Sequence, residues 1–141
     1  MIDRGFIEGK IDKIKIYSNE IEAVFKFSLG EIRRDFMKYR TMERELQLIS
    51  DEMIDINNHF IRRMNLEVPD SFQSTFIVLA KNNILPYDFA EKIAPVVGMR
   101  NRLVHRYEEI NMDLFINLLQ KNKDDFREYI KFINEYLNKK F

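Results

Sequence analysis

Apolar residues recur along the chain at threes, fours and sevens, the spacing that lines one face of an α-helix at 3.6 residues per turn. Ile7, Ile11, Ile14, Ile21 and Phe25 predict a first helix, with Gly30 as a break after it. Ile32, Phe36, Tyr39, Leu46, Ile49, Met53, Ile56, Phe60 and Met64 keep the same period with no proline and no further glycine between them, which predicts one long second helix. "NLEVPD" interrupts the pattern, and Pro69 biases Val68 towards extended backbone, so a loop is expected there. Phe72, Phe76 and Leu79 predict a short third helix ending near "KNN", where asparagine tolerates the left-handed conformation of a helix end. Pro86 suits the start of a fourth helix, because a first-turn proline lacks only a donor that would have no partner anyway. Pro95 predicts a kink or a restart, with the restarted segment carrying Val96, Val97, Arg100, Leu103 and Val104 towards His105. A final helix is expected from near Asp113, a good N-cap, through Leu114, Leu118, Phe126, Ile130, Ile133 and Leu137. No stretch alternates at period two for long. The expectation is an all-α fold, an up-and-down antiparallel bundle of four to five main helices, forming one domain over residues 1–141.

Composition narrows the partners more than the fold. Twenty-three Lys and Arg offset twenty-three Asp and Glu, so the whole-molecule charge exerts no pull on nucleic acid or an anionic membrane, and a nucleic-acid site must be a local patch. The chain has no cysteine, which excludes disulfides and thiolate metal sites. The charged N-terminus lacks the apolar stretch of a signal peptide, and no run approaches a membrane span. A cytoplasmic protein without a membrane role is expected.

There is no glycine-rich phosphate loop, no HExxH and no nucleophile motif, and no metal cluster emerges. His59, in "INNHFIRR", reads as a surface or groove residue without chemistry, and Glu43 and Glu45 as solvated carboxylates. "RNRLVHRY" differs. On a helix, Asn101 and His105 lie one turn apart on one face, and Arg100 and Tyr107 lie two turns apart on another. Residues 98–107 hold Arg100, Arg102 and Arg106 and no acid. An arginine fork matches phosphate oxygens and a histidine exchanges protons near neutral pH, which suits metal-independent phosphodiester cleavage with His105 as acid or base and Arg100 as charge stabiliser. The same residues also fit a helix C-terminus whose cations merely complement its dipole.

The motif and its context resemble the HEPN-domain ribonuclease toxins, specifically the HepT subgroup. "RNRLVHRY" has that signature's arginine, polar residue, histidine and tyrosine at the matching offsets. "YRTMERELQLISDEMIDINNHFI", "VPDSFQSTFIVLAKNNIL" and "APVVGMRNRLVHRYEEI" are similar to the subgroup's second helix, middle connection and motif helix, covering roughly residues 30 to 135. The resemblance implies an HEPN-like helical bundle that dimerises with two motif helices across a cleft. It implies cleavage of RNA by Arg100 and His105, accompanied by the polar Asn101, and the local charge adds Arg102 and Arg106 as supporting residues; neither DNA nor a metal or other cofactor is expected. It further implies a nucleotidyltransferase antitoxin, MntA-like, that attaches AMP to Tyr107. HEPN domains also serve as non-catalytic helical companions of nucleotidyltransferases, and that role is the alternative expectation.

Overall fold

In the computed structural model the backbone is described for residues 1–105 and 112–141, and the side chains for residues 1–99 and 112–141. Asp3 accepts the Phe6 N–H and so caps α1 (Arg4–Val24), which buries Ile7, Ile11, Ile14 and Ile21 as the periodicity requires. Ser28 and Glu31 form a reciprocal capping box that starts the short α2 (Leu29–Arg34). The chain then turns at Asp35 into α3 (Phe36–Arg63), so the single long helix expected from the period is two helices. Asp35 has extended backbone (φ −105°, ψ 102°), ends α2 and caps α3 by accepting the N–H groups of Met37 and Lys38. Its carboxyl is held below the usual range, first by the hydrogen bond from the Lys38 ammonium.

The loop at "NLEVPD" and the end of α4 (Ser74–Lys81) follow the sequence reading. Asn65 and Asn83 both adopt positive φ, 53° and 62°. In each case the next N–H turns back onto the last helical turn, Leu66 to the Ile61 carbonyl and Ile84 to the Leu79 carbonyl, both at 2.9 Å. Pro86 stands before α5 (Tyr87–His105), and its carbonyl accepts the Ala90 N–H. That helix passes through Pro95 without a restart. Both Pro95 and Glu91, whose carbonyl loses its partner, are exposed, so the freed carbonyl lies on the solvent side. The expected final helix is also two: α6 (Met112–Asn122) ends where the Asn122 side chain folds back to donate to the Leu118 carbonyl, and α7 (Asp125–Lys140) begins three residues later.

The result is an all-α bundle, with seven helices among the described residues. α3 packs against α1, α2, α4 and α5, and its apolar face makes one continuous core with theirs. Tyr129, Phe60, Phe76, Phe115 and Phe126 are its largest fully buried side chains, and Phe76 and Tyr129 meet edge to face at 5.9 Å.

A polar chain runs through this core. The Tyr129 hydroxyl on α7 donates to Asn57 Oδ1 on α3 at 2.6 Å, Asn57 Nδ2 donates to Thr75 Oγ1 on α4 at 3.0 Å, and Thr75 Oγ1 donates to the Phe72 carbonyl at 2.6 Å. All three side chains are buried, and burial pushes the Tyr129 phenol well above its ordinary value, so it stays a donor. A second polar feature departs from the sequence reading: Glu43 and Glu45 are buried, not solvated. Two residues apart, they lie about 200° apart around α3, and both are covered because neighbouring helices pack on more than one side of it. Glu43 is paired with Arg40 at 2.6 Å. Glu45 meets Glu20 of α1, and one of its oxygens has no hydrogen-bond partner. Burial first, and the bond to Glu20 second, push its pKa from 4.5 up to about 8.

Two outcomes follow from these polar groups. Tyr129→Phe leaves the buried Asn57 oxygen without its short donor and is expected to cost about 1–3 kcal/mol in urea unfolding; an unchanged midpoint would show that the chain contributes no stability. Between pH 4.5 and about 8 the unfolded chain has released the Glu45 proton that the folded chain still holds, so stability falls as pH rises through that window and levels off outside it. Glu45→Gln should remove this part of the slope. Thermal melts of the two proteins should converge near the acid end and separate by pH 8, with the variant the more stable.

Candidate catalytic helix

α5 carries the basic motif, and its first half is fixed by packing. Phe89, Ala90, Ile93, Val96 and Val97 are buried against the core, and α4 and α6 flank it. From its solvent side Lys92 reaches α7, with its ammonium 3.1 Å from Asp125 and 3.6 Å from Glu128. Asp125 is 3% exposed and one of its oxygens has no partner; burial raises its pKa and the Lys92 charge opposes that rise. The start of α6 is tied to α2 by Arg33 and Asp113 at 2.7 Å, and Phe115 of α6 meets Tyr39 of α3 edge to face.

The second half of α5 holds the residues singled out in the sequence. Arg100, Asn101, Arg102 and His105 are helical, while their side chains, and Arg106 and Tyr107 altogether, lie outside the described residues. Helical register still places the four on faces. Arg100 follows Ile93 by seven residues and Val96 by four, and so continues the stripe that packs inward. Arg102 and His105 follow half-buried Gly98 by four and seven and continue its stripe away from the core, while Asn101, four beyond buried Val97 and three beyond Gly98, falls between the two stripes. Asn101 and His105, one turn apart, share a face, as the sequence implies. Arg100 and His105 are separated by about 140° around the axis and about 7.5 Å along it.

The outward stripe borders a cleft of about 400 Å³ lined by Gln73, Pro95, Gly98, Met99, Leu114 and Leu118. Gln73 stands at the N-terminal end of α4 but does not cap it; the Ser71 and Ser74 hydroxyls satisfy that turn. Its amide instead lies against α5 at Gly98, so closely that a Cβ there would collide with it. Sequence reasoning passed over Gln73. The available signal was a poor capping residue at a helix start, between two serines that do that work.

The other histidine is placed differently from the sequence reading. His59 is 7% exposed rather than on the surface: its ring stacks on Phe6 at 4.8 Å, and Nε2 accepts the Asp3 N–H at 2.9 Å. Burial, then the charge of Arg63, lowers its pKa, so it serves as a neutral acceptor that holds the start of α1. Among the described residues no three His, Asp or Glu side chains converge as a metal site, and no helix is long and apolar enough to cross a membrane.

Comparison with known proteins places this architecture. The family described as Ribonuclease HepT-like matches residues 11–133. The chain is 32% identical over 127 residues to the mRNA nuclease HepT of Shewanella oneidensis, covering 90% of this chain and 95% of that protein. It is 32% identical over 136 residues to the tRNA nuclease HepT of Aphanizomenon flos-aquae, covering 96% and 92% respectively. Its fold superposes with a TM-score of 0.87, at 30% identity and over 94% of this chain and 99% of the other, on a tri-AMPylated Shewanella oneidensis HEPN toxin solved in complex with an MNT antitoxin.

Proposed function

The chain belongs to the ribonuclease HepT-like family, and we propose that it is the metal-independent ribonuclease toxin of a cytoplasmic toxin–antitoxin pair. The observation that carries this reading is a motif helix that continues through Pro95 to His105, on a chain similar over nine-tenths of its length to RNA-cleaving relatives. Residues 1–141 act as one HEPN-like unit.

Arg100 and His105 are the catalytic residues in this reading, and Asn101, Arg102 and Arg106 support them. The ribose 2′-hydroxyl loses its proton to His105 as its oxygen bonds to phosphorus. The bond from phosphorus to the 5′-oxygen breaks, and that oxygen takes up a proton. The products are a 2′,3′-cyclic phosphate and a free 5′-hydroxyl. Arg100 holds the phosphate and stabilises the charge that builds on it. Base and acid are both required, and each chain supplies one motif histidine. A two-fold homodimer brings a second one to the same cleft, and doubles the arginines around the RNA strand.

Control follows from Tyr107, two residues beyond His105. A nucleotidyltransferase antitoxin directs the Tyr107 oxygen onto the α-phosphate of ATP, forming a phosphodiester to AMP and releasing pyrophosphate. The attached phosphate competes for Arg100 and Arg106, and the nucleotide fills the space the RNA backbone needs.

Purified protein should cut total RNA in the presence of EDTA, and His105→Ala should lower the rate by about a hundred- to ten-thousand-fold. Full activity in that variant, or complete dependence on Mg²⁺, would refute the mechanism; a folded protein that binds the nucleotidyltransferase but never cuts RNA would instead be its non-catalytic companion. Co-expression with the adjacent nucleotidyltransferase should add AMP to Tyr107, seen by peptide mass spectrometry, and silence cleavage. Tyr107→Phe should escape that silencing. Equal neutralisation of both proteins would overturn the control step.

A further inference from the structure

We propose that the cleft beside Gly98 receives a nucleobase of the RNA strand, with the Gln73 amide reading the base edge and Pro95, Met99 and Leu118 enclosing its faces. The proposal rests on the ribonuclease reading and adds to it a residue that sets base preference.

The cleft has the composition of a base pocket. Its volume of about 400 Å³ leaves room for one base, and among the described residues the side chains that line it are apolar apart from the Gln73 amide. Met99 is nearly buried, Leu118 half-buried, and Leu114 forms an exposed rim. A glutamine amide offers a donor and an acceptor side by side, which complements the paired groups on a base edge, and apolar side chains accept the faces of any base.

Gln73 is available for this task. It does not cap α4, and among the described residues its amide forms no hydrogen bond. Its placement is nonetheless defined. The Phe72 carbonyl before it accepts from buried Thr75, the Ser71 and Ser74 hydroxyls close the turn around it, and the absence of a side chain at Gly98 lets the amide lie on α5. An amide on an ordered turn, without a partner among the described residues, breaks no protein bond when it binds.

Position links the cleft to the chemistry. By register Arg102 and His105 share the face of α5 that carries Gly98, one and two turns further on, so the cleft lies about 10 Å along that face from His105. That separation suits a base next to the cleaved phosphate, with Arg102 between them for the backbone.

The test has two arms on the same proteins: wild type, Gln73→Leu and Gly98→Ala, each first checked for native helicity. In the first, methyl NMR signals of Met99, Leu114 and Leu118 are followed while AMP, GMP, CMP and UMP are added. Shifts are expected for one base over the others, with the preference lost in Gln73→Leu and in Gly98→Ala, whose new Cβ displaces the amide. In the second, cleavage sites in total RNA are sequenced. The wild type should favour that base beside the cut by roughly ten- to hundredfold, and Gln73→Leu should cut with the preference flattened. Methyl signals that ignore nucleotides, or that respond only to protein dilution as a second copy leaves the cleft, would overturn the proposal. So would an identical cleavage pattern in wild type and Gln73→Leu, and binding of AMP alone without adenine at the cut would reject RNA as the source of the base. A wild type that never cuts RNA would refute the ribonuclease reading, and the methyl titration would then decide the pocket by itself.

Discussion

Three side chains from three helices, Tyr129, Asn57 and Thr75, share one line of hydrogen bonds through an otherwise apolar core. Apolar packing by itself is tolerant of small rotations and slips, because Leu, Ile and Met fill space without direction. A buried hydroxyl or amide is not tolerant, since a shifted partner leaves it desolvated and unbonded. The line therefore sets the register of α3, α4 and α7 together. Its last acceptor is the Phe72 carbonyl, the residue before Gln73, so the same constraint that aligns three helices also presents an amide to α5.

Much of this was legible in the sequence, for a physical reason. Helix faces write themselves as apolar residues at three and four, and Ile7, Ile11, Ile14, Leu46, Ile49 and Phe60 are all buried where that pattern puts them. The boundaries were harder. Asp35 divides what reads as one helix because its side chain caps the next helix while its backbone leaves the last, and neither act disturbs the apolar period. Asn122 ends α6 in the same silent way. The restart that Pro95 suggests does not occur, since a proline on the solvent side of a well-packed helix costs one bond but need not stop it. Buried charge was the least legible. Nothing local distinguishes Glu45 from an exposed glutamate; only the approach of α1 across α3 does that.

The motif shows the same division. Its residue types and spacing point to phosphate chemistry, and the fold supplies the helix that carries them to His105. What spacing does not express is which face each residue takes relative to the core. Register sets Arg100 on the inward stripe, Arg102 and His105 on the stripe of Gly98 and Asn101 between them, a partition that depends on where Ile93, Val96 and Val97 pack. Gln73 is invisible for the same reason: its importance comes from proximity to Gly98, 25 positions further along the chain.

Asp35 belongs to two helices at once, and this limits how the chain can change in length. One residue, with one φ and one ψ, sets the angle between α2 and α3, and α2 in turn grips the start of α6 through Arg33 and Asp113. An inserted or deleted residue at that junction would rotate α2 by about a quarter turn about its own axis relative to α3, withdrawing the Asp35 cap and carrying Arg33 away from α6. The stretch from Asn65 to Gln73 has no such double duty along most of its length. Insertions and deletions that preserve the fold are therefore confined to segments like that one, while the junction at Asp35 holds its length as strictly as a helix interior.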